Sequence, residues 1–144
     1  MLRVNKLTDY GSVILACMAS RPDETMSAAS LARDVLLPLA TVRKLLKILV
    51  KSGLLCSSLG KQGGYQLARP AEEISVAEII DVLEGVITLT ECSMGKGICR
   101  IEGNCEIRHN WQGLNQILQQ SLRQVSLQEM LPPKNRAKRI ISSG

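Results

Sequence analysis

SAASLARDVLLPLATVRKLLKILVKSG, residues 27–53, reads as two helices joined by a tight turn. Ser27 is placed to cap the first helix, with Met26 and Leu31 at the two positions of a hydrophobic staple. The small residues Ala28, Ala29 and Ala32 would let this short helix, about 28–34, pack closely. Leu36-Leu37-Pro38 forms the turn, and Pro38 suits a helix start, where its missing N–H is not needed. The second helix is expected over 39–51, closed by Gly53. Leu39, Val42, Leu46 and Leu49 make one apolar stripe that would dock it on a core. Ala40, Thr41, Arg43, Lys44, Lys47 and Lys51 fall largely elsewhere; four of them are basic and none is acidic.

Working outward, residues 7–20 carry Leu7, Tyr10, Val13, Ile14, Cys17 and Met18 at helical spacing, ended by Arg21-Pro22-Asp23. Downstream, residues 54–59 read as a strand, Gly60-Lys61-Gln62-Gly63-Gly64 as a turn, and residues 65–68 as a returning strand ended by Pro70. Helix, turn, basic helix and basic-tipped hairpin, in that order, make a winged helix-turn-helix. The B-DNA major groove admits one α-helix, whose first residues reach base edges. Ala40, Thr41, Arg43 and Lys44 would face bases or the nearest phosphates, and Lys47 and Lys51 the backbone. At the hairpin tip, Lys61, Gln62, Gly63 and Tyr65 would approach a neighbouring groove, because the glycines leave no bulk. A basic helix alone is as readily a solvated face; the helix between Pro38 and a basic hairpin is the stronger signal.

The chain has 144 residues, 45% hydrophobic but only 2% aromatic with no Phe, so its core must be aliphatic. No apolar run approaches the ~20 residues needed to span a bilayer. The first residues show no secretory h-region, so a soluble cytoplasmic protein is the expectation. The net charge of +5 is unevenly spread: +6 over residues 1–70, −5 over 71–133 and +4 over 134–144. A basic front half beside an acidic middle points to one polyanion-binding face. A single histidine, no nucleophile motif and no phosphate-binding glycine loop make an enzyme the weakest class.

Five cysteines in such a chain argue against a disulfide framework. Cys17 and Cys56 sit at apolar positions and read as small core residues. Cys92, Cys99 and Cys105 fall in a loop with Gly95, Gly97 and Gly103 and with the basic Lys96, Arg100 and Arg108. Soft thiolates suit an iron–sulfur cluster or zinc. Zinc held by the three cysteines and His109 remains an alternative, as does a metal-free thiol switch.

Between hairpin and loop, Ser75–Glu78 forms a capping box with Ile74 and Ile79 as staple, opening a helix to about Leu83 that Gly85 closes. Beyond the loop, Trp111, Leu114, Leu118, Leu122 and Val125 form a near-heptad stripe over 108–125. It would be covered by the same helix of a second subunit. The expected organisation is a DNA-binding unit at 1–85, a cysteine loop at 86–107, a dimerisation helix at 108–131 and a basic tail at 132–144. The expected fold class is mainly α with a small β-hairpin wing.

Leu7-Thr8-Asp9-Tyr10-Gly11, Arg43 through Leu49, Gly53-Leu54-Leu55, Gly63 through Pro70, Glu84-Gly85 and the cysteine triplet together resemble the Rrf-two family of bacterial winged-helix regulators. The similarity spans about residues 1–131. It implies a homodimer on a palindromic operator and a 2Fe–2S or 4Fe–4S cluster ligated by Cys92, Cys99 and Cys105. That cluster would sense cluster supply, nitric oxide or redox state. The Thr90-Glu91-Cys92 lead-in is similar to regulators of cluster-assembly operons, including SUF-type repressors. One departure stands out. IscR-like members carry a histidine three residues past the third cysteine, where this chain has Arg108, and His109 is a residue later, about 100° round a helix. NsrR-like members use an acidic residue of the partner subunit, which Asp9 matches here. The resemblance leaves Asp9 and His109 both open as fourth ligand.

Overall fold

The computed structural model describes residues 3–132. The expected tail at 132–144 lies outside the described residues apart from Pro132.

Helix α1 (Lys6–Ala19) opens on Asn5, whose side chain accepts the Thr8 N–H at 2.8 Å. It buries Ile14, Leu15, Met18 and Ala19. Helix α2 (Ala28–Val35) opens on Ser27, whose hydroxyl accepts the Ser30 N–H at 3.1 Å. The staple residues Met26 and Leu31 are both buried. Leu36 then takes a left-handed conformation, φ 58°, and ends α2 with its side chain in solvent. Such a turn costs an ordinary residue about 1–2 kcal/mol, and it swings the chain through Pro38 into α3 (Leu39–Lys51).

α3 differs from expectation at two positions. Leu45 is fully buried, together with Val42, Leu46 and Leu49, whereas Leu39 is exposed. The docking face therefore runs 42, 45, 46, 49. Leu39 stands in the first turn, ahead of the elements that cover the rest.

Strands β1 (Leu55–Ser58) and β2 (Gly64–Leu67) pair antiparallel, with Leu55 opposite Leu67 and Ser58 opposite Gly64. β1 is slightly shorter than the sequence indicates, with Leu59 wholly in solvent at the tip, and β2 lies one residue earlier than expected at the same length. Cys56, expected in the core, is exposed: Leu55 takes the inward side of the pleat and period two turns its neighbour outward. Tyr65 exchanges two backbone hydrogen bonds with Met26, at 3.0 and 2.8 Å. The hairpin is thereby tied to the residue that leads into α2, which fixes it relative to α3. An added Cβ at Gly64 would meet the Met26 carbonyl oxygen at 2.6 Å, so this approach requires glycine.

Helix α4 (Val76–Leu83) is capped by Ser75, whose hydroxyl accepts the Glu78 N–H at 3.1 Å. The second arm of the expected capping box is not made, since the Glu78 carboxylate pairs with Arg69 instead. Helix α5 (Arg108–Gln124) stops short of the expected segment to 131. Residues 125–131 return to the front half: the Val76 N–H donates to Val125 at 2.8 Å and the Leu127 N–H to Ile74 at 2.7 Å. Leu127 and Leu131 then join the core built by α1, α2, α3 and Leu54–Leu55. The whole is mainly helical with one small hairpin wing, as the sequence implies.

Candidate functional site

α3 presents Ala40, Arg43, Lys44, Lys47 and Lys51 to solvent, with Thr41 half-buried beside them. Val42, Leu45, Leu46 and Leu49 hold the opposite face, so the helix cannot rotate without losing its buried leucines. Among the described residues none of Arg43, Lys44, Lys47, Lys51 and Lys61 has an acidic partner; the ion pairs belong to Arg21, Arg69 and Arg108. Unpaired, solvated cations on one face are what a phosphate backbone requires.

At the wing, Lys61 and Gln62 are exposed, while Gly63 and Tyr65 are half-buried. An added Cβ at Gly63 would meet the Ser58 carbonyl oxygen at 2.4 Å, so this glycine serves the closure of the turn. Tyr65 packs against the core and holds the wing through its backbone. A cleft of about 470 Å³ separates the tip from the start of α2, lined by Thr25, Ser27, Ser30, Lys61 and Gln62 together with Glu24. Nothing in the sequence pattern marks the hydroxyl side of this cleft, where Ser27 also caps α2.

Cys92, Cys99 and Cys105 are half-buried and form no disulfide. Cys92 lies in a short 3-10 turn, Glu91–Ser93, with its Sγ 3.0 Å from Thr90 Oγ1. Cys99 and Cys105 carry no side-chain hydrogen bond among the described residues. The donor set suits a soft metal or a cluster in kind. The described residues do not gather three His, Cys, Asp or Glu side chains into one group that could hold a metal ion. Ligation would require the loop to draw in around Cys92. An added Cβ at Gly97 or Gly103 would meet nothing within 4 Å.

Arg108, at the place where the resemblance puts a histidine, is committed to the loop: it pairs with Glu102 at 2.6 Å. Glu102 in turn accepts the Gly97 N–H at 2.5 Å. His109 and Asp9 are both exposed, on the first turns of α5 and α1.

The side of α5 that meets the preceding segment is lined by amides. Gln112 Nε2 donates to the Cys92 carbonyl at 3.1 Å, Asn115 Oδ1 accepts the Leu89 N–H at 2.9 Å, and Gln119 Nε2 donates to the Ile87 carbonyl at 2.6 Å. The stripe expected for dimerisation divides. Trp111 and Leu114 are exposed, as is Val125 just past the helix end, whereas Leu118 and Leu122 border a cleft shared with Ile80 and Ile87. Ile117 extends the exposed side.

A docked helix with unpaired cations, a wing locked beside it and a thiol loop leading into a second long helix define a winged helix-turn-helix DNA-binding regulator. The family described as Rrf2, iron-dependent transcriptional regulator, matches residues 4–133, and the chain belongs to it. It is a transcriptional regulator and not an enzyme. The protein rrf2 of Nitratidesulfovibrio vulgaris Hildenborough is 28% identical over 140 residues, covering 93% of each chain. NsrR of Oceanobacillus iheyensis, an HTH-type transcriptional regulator, is 29% identical over 110 residues, covering 75% of each. Among solved structures, CymR, the global cysteine regulator of B. subtilis, superposes with TM-score 0.74 at 25% identity, covering 90% of this chain and 96% of that one. IscR of T. potens gives 0.69 at 27% identity, covering 90% and 85%. Among the described residues no helix is long and apolar enough to cross a membrane.

Proposed function

We propose that this regulator is a cytoplasmic homodimer that binds a palindromic operator and responds to an iron–sulfur cluster on Cys92, Cys99 and Cys105, repressing cluster-assembly genes. One observation carries the reading: three thiols free of disulfides occupy the loop that leads directly into α5, and α5 holds that loop by its own side chains. α5 is also anchored at its far end to the DNA-binding half, through Val125 and Leu127. A change at the thiols therefore has a covalent and hydrogen-bonded route to the helix that would set the spacing of two recognition helices. Half-sites lie about one helical turn apart, so a small change of spacing alters operator affinity strongly. The thiolates supply soft ligands for the cluster, and Lys96 and Arg100, exposed and without acidic partners, offset their charge.

The test is purification without oxygen, with iron, sulfide and zinc analysis, followed by operator binding with and without the cluster. Iron and sulfide at near-equal amounts, and an affinity that changes on cluster loss, are expected. Zinc without iron would assign the loop a structural metal, and equal affinities at every promoter would remove the sensing role.

A further inference from the structure

A cavity of about 480 Å³ lies where the start of α5 meets residues 92–96. Ser93 and Lys96 line it from one side, and Arg108, Gln112, Asn115 and Gln116 from one face of α5. The four α5 residues share that face because they stand three and four positions apart. Among the described residues no carboxylate lines the cavity. Glu102, which pairs with Arg108 at 2.6 Å, stands outside the lining. The charge of Arg108 is therefore met in part within the chain. Lys96, exposed and without an acidic partner among the described residues, is the free cation.

Asn115 indicates what the cavity takes. It is only 8% exposed, and its Oδ1 accepts the Leu89 N–H at 2.9 Å. That bond fixes the orientation of the amide and leaves Nδ2 as a donor with no partner among the described residues. The nitrogen is not sealed from solvent, and Asn115 opens onto this cavity. A nearly buried donor is unfavourable while unmet and is satisfied when an acceptor arrives. Two cations, an oriented amide and no carboxylate select an ion with two negative charges and several acceptor oxygens.

We infer that this cavity binds a small dianionic oxyanion, with Lys96 meeting its charge and the Asn115 amide fixing its place. The inference goes beyond the cluster reading and does not depend on it, since no thiol serves as a ligand and the site belongs to the metal-free chain. Phosphates and dicarboxylates share the required chemistry. Bound there, the ion ties Lys96 to α5 and gives that helix a second chemical input. An effector acts through such a site by favouring the arrangement that it bridges.

The full-length chain, reduced and free of metal, is to be titrated by calorimetry with inorganic phosphate and separately with succinate, at constant ionic strength set by chloride. Saturable binding of at least one of them is expected, and the tighter of the two identifies the source as phosphate or dicarboxylate. Asn115→Asp keeps an oxygen for the Leu89 N–H and replaces the free donor with a negative charge. It should weaken binding about tenfold or more. Lys96→Ala should weaken it by about tenfold, whereas Arg100→Ala, at an exposed cation outside the lining, should bind as wild type. In wild type the ion should slow hydrogen exchange of the 93–97 amides, an effect absent from Lys96→Ala. Because Lys96 is exposed, its variant decides the matter even where Asn115→Asp disturbs the fold. Absence of saturable binding for both ions overturns the inference. Equal weakening by Lys96→Ala and Arg100→Ala overturns it too, since attraction would then be to the basic surface at large. Iron uptake by the same chain tests the cluster reading separately.

Discussion

Replacing Leu45 with Ala removes a side chain with no exposed surface from the face of α3 that meets the core. The lost burial and the cavity together should cost about 2–5 kcal/mol. Leu39→Ala, six positions earlier and already 36% exposed, should cost well under about 1 kcal/mol. Urea unfolding of the two variants checks this, and equal losses would mean that α3 is rotated from the face described. The apolar positions of residues 39–51 offer two helical stripes, through Leu39 or through Leu45, and periodicity cannot choose between them. The choice is made by elements far away in sequence. The cysteines teach the same lesson. Burial pushes the Cys17 thiol up from its usual range, while Cys56, one residue out of phase with Leu55, is exposed. Brief alkylation at neutral pH should therefore label Cys56 well before Cys17, by peptide mass mapping. Labelling of Cys17 first would contradict the placement of both.

At the scale of elements, the cationic face of α3 makes two separable predictions. Lys47→Ala should weaken binding similarly at all sequences and reduce the slope of log affinity against log salt by about 1. Arg43→Ala should relax base preference, costing about 1–3 kcal/mol at the preferred operator. Titrations against cognate and scrambled duplexes at several salt concentrations separate the two effects. An unchanged Arg43→Ala profile would place the reading face elsewhere on the helix. The wing adds a third prediction. Gly64→Ala drives a methyl group onto the Met26 carbonyl oxygen, 2.6 Å from the ideal Cβ. The bridge that sets the wing against α2 should loosen, with about 1–3 kcal/mol lost in denaturant unfolding. These elements were legible because their signals are local: Ser27 with Met26 and Leu31, Ser75 with Ile74 and Ile79, and the glycines of the tip. The amide face of α5 was not legible: Gln112, Asn115 and Gln119 share a helical stripe, but their partners are backbone groups of residues 87–92, twenty or more residues earlier. The return of residues 125–131 to the core was not legible. Its hydrogen bonds join Val125 and Leu127 to Val76 and Ile74, about fifty residues earlier, and pairing at that distance leaves no periodic trace.

For the whole molecule, the question is what α5 does with the apolar residues its own chain leaves uncovered. Leu114 and Ile117 are 50% and 61% exposed, next to Trp111, on a helix whose inward side is occupied by amides and by Leu118 and Leu122. A helix with an apolar outer face gains by covering it, and in the proposed homodimer a second copy of α5 would supply a matching surface about a two-fold axis. Substituting Ile117 with Glu places a charge on that face without touching the chain's own core. The variant should therefore unfold with nearly unchanged cooperativity per chain but sediment as a monomer. Its operator affinity should fall by about 10²–10⁴, because two recognition helices no longer engage two half-sites as one linked unit. A single half-site duplex should by contrast bind wild type and variant alike, since α3 and its cations are intact. If Ile117→Glu remained dimeric, the contact between subunits would have to use the other apolar cleft, between Val4, Ile80, Ile87 and Leu122. Val4→Glu would then be the substitution that separates them.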